Sequence, residues 1–252
     1  MTTATTPMTE QTTGVPPELL LGDHQSGVQL VRQHARGRWF KSLALLAGSG
    51  YGVAWVAGLV VWPSNLSIDA SRRDIVSLYA AHTRQAAVQY LLVEGLAGAL
   101  LGIVLFYCVR RLSRCARTWT SQVAFGGGVV VAISLLQCLL GQDLVFSASK
   151  GHLDQSGDIY QLINRLDGAK QLALSVYVVA LGTRLRATAS YPLWLSRITV
   201  ILGPALATSG LAYLLLWGVL AGTTFVSLPL LVVWVAGSGI WLGTGSQSEQ
   251  RG

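Results

Sequence analysis

The stretch from Ala87 to Val109 constrains this chain more than any other. It holds about 23 residues with one charge, Glu94, and the pair Arg110-Arg111 closes it. At 1.5 Å per residue a helix of that length reaches about 34 Å, enough to cross a bilayer core of about 30 Å. A membrane span fixes the solvent of the fold and raises the question of what Glu94 is for.

Composition agrees with that solvent. Charged residues make up 12% of the 252-residue chain, against about 25% in soluble domains. Hydrophobic residues reach 52% and are gathered in long blocks, and the mean hydropathy is +0.51. The net charge of +7 is basic, but the arginines stand at the ends of apolar blocks, where orientation in a membrane requires them. No basic stripe with interleaved aromatics stands apart from the spans, which argues against a nucleic-acid partner. Cys108, Cys115 and Cys138 are too few for a disulfide framework. His24, His34, His82 and His152 are scattered over different loops, so no metal centre is expected.

Read in order, residues 1–27 are rich in Thr, Pro and Gly and read as a disordered cytoplasmic tail. They lack the apolar core and cleavage site of a signal peptide. Residues 28–41 form a basic juxtamembrane segment. There Arg32, Arg36, Arg38 and Lys41 suit either contact with anionic lipid or an ordinary basic flank. A transmembrane domain follows over 42–243, and 244–252 is a short cytoplasmic tail. Span 1 is expected near Leu43 to Trp62, bracketed by Trp39 and Trp62 as interfacial anchors, with Gly48 and Gly52 permitting close helix contact. Ser71-Arg72-Arg73-Asp74 is a capping-box pattern, predicting a helix that runs through Ile75, Tyr79 and His82 into span 2. Spans 3 to 6 are expected near Thr120 to Leu140, Arg165 to Thr183, Ile198 to Leu220 and Phe225 to Gly243. Span 4 is the weak one, and Gly203-Pro204 predicts a kink in span 5. Gly126-Gly127-Gly128 lies within an apolar block, which favours helix packing over a phosphate cradle. Asn65-Leu66-Ser67 matches a glycosylation acceptor, a three-residue pattern given little weight.

Loop charges test the count. Arg32, Arg36, Arg38 and Lys41 precede span 1, Arg110, Arg111, Arg114 and Arg117 follow span 2, and Arg184, Arg186 and Arg197 follow span 4. The intervening loops mix acids with bases. This alternation predicts an all-α polytopic bundle of six transmembrane helices with both termini in the cytoplasm. Five spans would break it, so span 4 is expected to cross despite its charges.

The segment Asp74-Ile-Val-Ser-Leu-Tyr-Ala-Ala-His-Thr-Arg-Gln-Ala resembles the "FYAAHR"-like entry of a group of uncharacterised six-helix bacterial integral membrane proteins. Leu166-Asp-Gly-Ala-Lys and Tyr191-Pro-Leu-Trp-Leu are similar to later landmarks of that group. The likeness covers roughly residues 40 to 243, mainly by layout, and departs at Leu78-Tyr79, where the group carries an aromatic pair. It implies the six-span fold and a bacterial cytoplasmic membrane, and brings no activity with it.

No HExxH, GxSxG, Walker or paired His/Cys/Asp arrangement is present, so no catalytic residue and no cofactor is assigned. What remains is charge in the wrong solvent. Glu94 lies about 24 Å above Arg110 along span 2, and Lys170 about 21 Å above Arg184 along span 4. Their depths match. Gln137 on span 3 lies near the same level, with Asp167, Arg165, Gln142 and Asp143 further out. Such residues could line a polar vestibule open to the outer face. Three readings stay open at this point: a pair that only fixes helix register, a substrate or proton site, and a Lys170 that snorkels outward with no pair. The functional expectation is correspondingly broad. It is a non-enzymatic accessory or stress-related membrane component, with a small transporter or proton-coupled carrier around Glu94 and Lys170 as the alternative, and an intramembrane enzyme as the third. The expected partners are the lipid bilayer and a second copy of the chain.

Overall fold

The computed structural model describes the backbone of residues 18–63, 66–113, 120–186 and 191–244, and side chains from Trp39 onward except at 112–123. The chain divides into two units, Met1–Phe40 and Lys41–Gly252. Every regular element among the described residues is helical.

Helix α1 runs Glu18–Val61, so its backbone is already helical from Glu18 to Gly27, where composition alone reads a disordered tail. Residues 1–17 and the side chains of Arg32, Arg36 and Arg38 lie outside the described residues, as do Asn65, Cys115 and the tail after Thr244. A short helix, α2 (Arg72–Ala81), precedes α3 (Thr83–Tyr90), a single π-helical turn (Leu91–Leu96) and α4 (Ala97–Ser113). Then come α5 (Thr120–Ser149), α6 (Leu153–Arg186), α7 (Leu193–Leu214), the one-turn α8 (Gly218–Ala221) and α9 (Thr224–Thr244).

Local chemistry accounts for the boundaries near the site. The Ser71 hydroxyl accepts from the Asp74 amide at 3.3 Å and donates to the Asp74 carboxylate at 2.6 Å, so the predicted cap starts α2. The helix does not run unbroken into the next one. His82 caps α2 with its amide on the Leu78 carbonyl, leaves helical geometry, and the chain resumes as α3. α7 stops at Leu214, short of the predicted end, and Leu216 turns the chain with a φ of 54°. Pro204 stands inside α7 without ending it, and so does Pro229 in α9.

Among the described residues, five segments are long and apolar enough to cross a membrane: Trp39–Val61, Thr83–Arg111, Ala124–Ser149, Leu193–Leu214 and Gly218–Thr244. α6 is not among them, because Arg165, Asp167 and Lys170 interrupt its apolar stretch. With 34 residues it is nonetheless about 51 Å long. It packs against α7, α5, α2 and α4. Along most of its length it buries side chains, from Ser156 through Ile163, Lys170 and Leu174 to Leu185.

Glycines permit that central position. A Cβ at Gly168 would collide with the backbone of Leu214 and come within 2.6 Å of the Gly210 carbonyl, so α6 and α7 touch backbone to backbone. Gly48 meets Gly239 in the same way, where a Cβ would stand 2.8 Å from the Gly239 Cα. The predicted small-residue contact of span 1 is therefore with α9.

The core has two parts. One, built on Tyr51, Leu101, Leu105, Leu174, Leu181, Leu202 and Trp234, joins α1, α4, α6, α7 and α9. The other lies where α2 meets α5 and α6 and is built on Trp62, Ile75, Tyr79, Leu144 and Tyr160. Trp62 is only 6% exposed and stacks edge-on to Tyr79 at 5.0 Å. It is a core residue and not the lipid-facing anchor its position suggests.

Candidate functional site

The π turn aims Glu94. In Leu91–Leu96 the Ala97 amide reaches back five residues, to the Leu92 carbonyl, which widens the helix by one residue and rotates what it carries. On either side the wall is stripped down. A Cβ at Gly95 would lie 3.2 Å from the Cys138 sulfur, and one at Gly98 2.7 Å from Ser134, so α5 lies close against this segment. Ser134 stands beside Glu94 on that side.

α6 supplies the partner. Asp167, Lys170 and Gln171 sit at spacings of three and four, hence on one helical face. Lys170 Nζ lies 2.8 Å from Glu94 Oε2 and 2.9 Å from Asp167 Oδ1. The side chains of Lys170, Glu94 and Asp167 keep only 11%, 14% and 23% of their exposure. The Gln171 amide nitrogen donates to the second Asp167 oxygen at 2.7 Å. From α5, the Gln137 amide nitrogen donates to the Ile163 carbonyl at 3.2 Å. One ammonium is therefore shared between two carboxylates. A single charge near the bilayer centre costs about 2.5–3.5 kcal/mol on its own, and breaking a buried pair typically costs about 3–5 kcal/mol. This geometry removes the snorkelling alternative for Lys170.

The cluster borders a cavity of about 260 Å³. Tyr51 and Trp55 of α1, Gln137 of α5 and Asn164 of α6 line it beside the charges. It extends to Leu66, Ile68, Tyr213 and Thr224. Those four lie at the bundle end that holds the α1–α2 connection and the α7–α9 turn, opposite the end with Lys41, Arg110, Arg111, Arg184 and Arg186. The size fits a small solute or a group of waters.

Three residues that line it each bury one polar atom without a hydrogen-bond partner. Gln137 Oε1 and Gln171 Oε1 are buried without a hydrogen bond, and both residues are only 1% exposed. The orientation of each carboxamide is fixed, because its partner, a carbonyl for Gln137 and a carboxylate for Gln171, can only accept. Asn164 Nδ2 is also buried without a well-formed bond. Buried polar groups are normally satisfied, so such a group needs an explanation.

Of the residues the sequence singles out, the structure gathers Glu94, Lys170, Asp167 and Gln137 around one cavity. Arg165 and Asp143 are exposed and do not line it, because both point away from the helix faces that converge on Lys170. Gln142 serves a different contact, donating to the Ala87 carbonyl at 3.0 Å and tying α5 to α3. Sequence reasoning passed over Gln171, Asn164 and Tyr51. Gln171 could have been found from its spacing of four after Asp167, whereas Tyr51 carries no signal, since it reaches the site only by packing of α1.

Neither protein-family models, curated proteins nor solved structures yield a match to this chain.

Proposed function

We propose that this chain is a non-enzymatic, multi-pass protein of the bacterial cytoplasmic membrane that takes a small polar solute into an outward-facing site around Glu94, Asp167 and Lys170, as a carrier or solute-binding component. The observation that carries this reading is the shared-ammonium cluster of Glu94, Asp167 and Lys170 on the wall of a cavity of about 260 Å³. A pair that only fixed register would be better served by a filled, fully bonded site. Neither the accessory or stress-related reading nor an enzyme reading is singled out by a feature of the site.

The same proposal includes six crossings, with α6 as the polar sixth shielded by its neighbours, and both termini cytoplasmic. Arg and Lys enrichment at the Arg110 and Arg186 end supports that orientation. It also includes contact of Arg32, Arg36, Arg38 and Lys41 with anionic lipid, self-association, and kinship with the six-helix bacterial proteins whose layout the chain resembles.

Cysteine accessibility tests the site. Leu228 is a half-buried apolar residue on the cavity wall. In a cysteine-free background, Leu228→Cys should react in intact cells with a membrane-impermeant methanethiosulfonate, while Leu105→Cys in the deep core stays unlabelled. Equal protection of both positions would show a closed, structural cluster and remove the solute-site reading.

A further inference from the structure

The outer end of the cavity is closed by a thin piece of the chain. Leu66, Ile68 and Tyr79 line it there, all within residues 66–81, which comprise α2 and the stretch leading into it. Of its ten residues α2 buries only Ile75 and Tyr79, whereas α6 buries side chains along most of its length. The remaining hold on this stretch is polar. Arg72 bridges Asp154 and Asp158 near the start of α6, the second at 2.8 Å, and all three side chains are exposed. The Tyr160 hydroxyl of α6 donates to the Ser67 carbonyl at 3.0 Å. Exposed ion pairs contribute little to stability, because water and salt compete with them. The far end of the stretch is a break in the helix, where His82 stands at φ −123° and ψ 33°. Hinges are a few residues at an element's end that absorb such a backbone change. A second hollow of about 580 Å³ lies against that break, lined by Trp62, Leu66, Leu78 and His82, and leaves it room to move. A fixed wall would be deeply buried and continuous with the next helix, and residues 66–81 are neither.

We propose that residues 66–81 are the outer gate of the cavity, hinged at His82 and latched to the start of α6 by Arg72 on Asp154 and Asp158. This inference rests on the solute-site reading and adds the route by which the solute enters. When the latch releases, α2 swings on His82 and carries Leu66, Ile68 and Tyr79 away from the cavity. Tyr213 and Thr224, beside the α7–α9 turn, form the fixed side of the entrance.

A disulfide can hold the gate shut. An ideal Cβ at Gly157 would stand 2.6 Å from Arg72 Cγ. The two Cβ positions are then roughly 3–4 Å apart, which includes the separation of about 3.8 Å typical of a disulfide. Arg72→Cys also clears the side chain that fills that space. The test uses the full chain in intact cells, in a cysteine-free background carrying Arg72→Cys, Gly157→Cys and Leu228→Cys. An impermeant maleimide is applied with the first two oxidised or reduced, and modification at residue 228 is read by peptide mass. Oxidation should slow that modification at least tenfold, and prior reduction should restore it. With Gly157 native, Arg72→Gln should speed modification of Leu228→Cys at least severalfold and leave Leu105→Cys unlabelled. Equal rates in the oxidised and reduced forms would overturn the gate and put the entrance elsewhere. An unchanged rate with Arg72→Gln, or labelling of Leu105→Cys along with it, would overturn the latch. Absence of modification at residue 228 in every form would remove the solute site itself, so the two failures are distinguishable. If the triple variant fails to fold, Arg72→Gln still decides, because it forms no cross-link and leaves Gly157 in place.

Discussion

α6 and α9 are opposites. The most apolar stretch of the segment Gly218–Thr244, which contains α9, has a mean hydropathy of 2.1 and is only 22% buried. Val219 and Phe225 there are each 86% exposed. α6 is too polar to qualify as a span by composition, yet it is packed on four neighbours and buries Lys170, Gln171 and Ser175. The contrast shows what hydropathy measures in a bundle of this kind. It reports the faces turned to lipid. Polar side chains are tolerated where other helices stand between them and the hydrocarbon. A helix that looks least like a span is thus the one with the most protein around it.

If that comparison is right, changes on α6 should be costly and changes on the outer face of α9 cheap. Lys170→Met should cost most, about 3–5 kcal/mol, because it strands two buried carboxylates. Glu94→Gln should cost less, since Lys170 keeps Asp167 at 2.9 Å. Adding Glu94→Gln to Lys170→Met should recover part of the loss, with a coupling on the order of 1–3 kcal/mol in detergent melting. Additive losses would break the cluster apart.

Gly168→Leu comes next, at about 3 kcal/mol, because a side chain there would wedge α6 from the α7 backbone. The same change at Gly128, which faces no atom within 4 Å, should cost far less.

The alkaline limit involves α2, outside the spans. Burial pushes the Tyr79 phenol up to about 12, from an ordinary value near 10. The folded state therefore favours the neutral phenol. Its contribution, about 3 kcal/mol, is complete below pH 10 and is lost as pH rises through 12. Melting of Tyr79→Phe should fall less steeply than wild type across that window. The smallest effect is expected for Phe225→Leu on α9, within about 0.5 kcal/mol, as for an exposed position.

The sequence made the five apolar spans legible, because a bilayer demands length and hydrophobicity that composition displays directly. It also made the Ser71 cap and the Glu94–Lys170 meeting legible, through local chemistry and matched depth along two rods. The π turn was not legible. Nothing in Leu-Leu-Val-Glu-Gly-Leu separates it from an ordinary helix, and only the approach of α5 at Gly95 and Gly98 gives it a reason. Trp62 misled for a related reason. Its place at a helix end suggests an interface anchor, but α2 folds back over it. Arg165 and Asp143 misled because depth along a helix says nothing about which face a residue occupies.

The central claim is that α6 crosses the membrane with its charges inside the bundle. In a cysteine-free background, cysteines at Lys150, just before α6, and at Arg186, its last residue, report the two ends directly. Lys150→Cys should react with an impermeant maleimide in intact cells, and Arg186→Cys only after permeabilisation. Labelling of both from the same side would contradict the account, because α6 would then not cross.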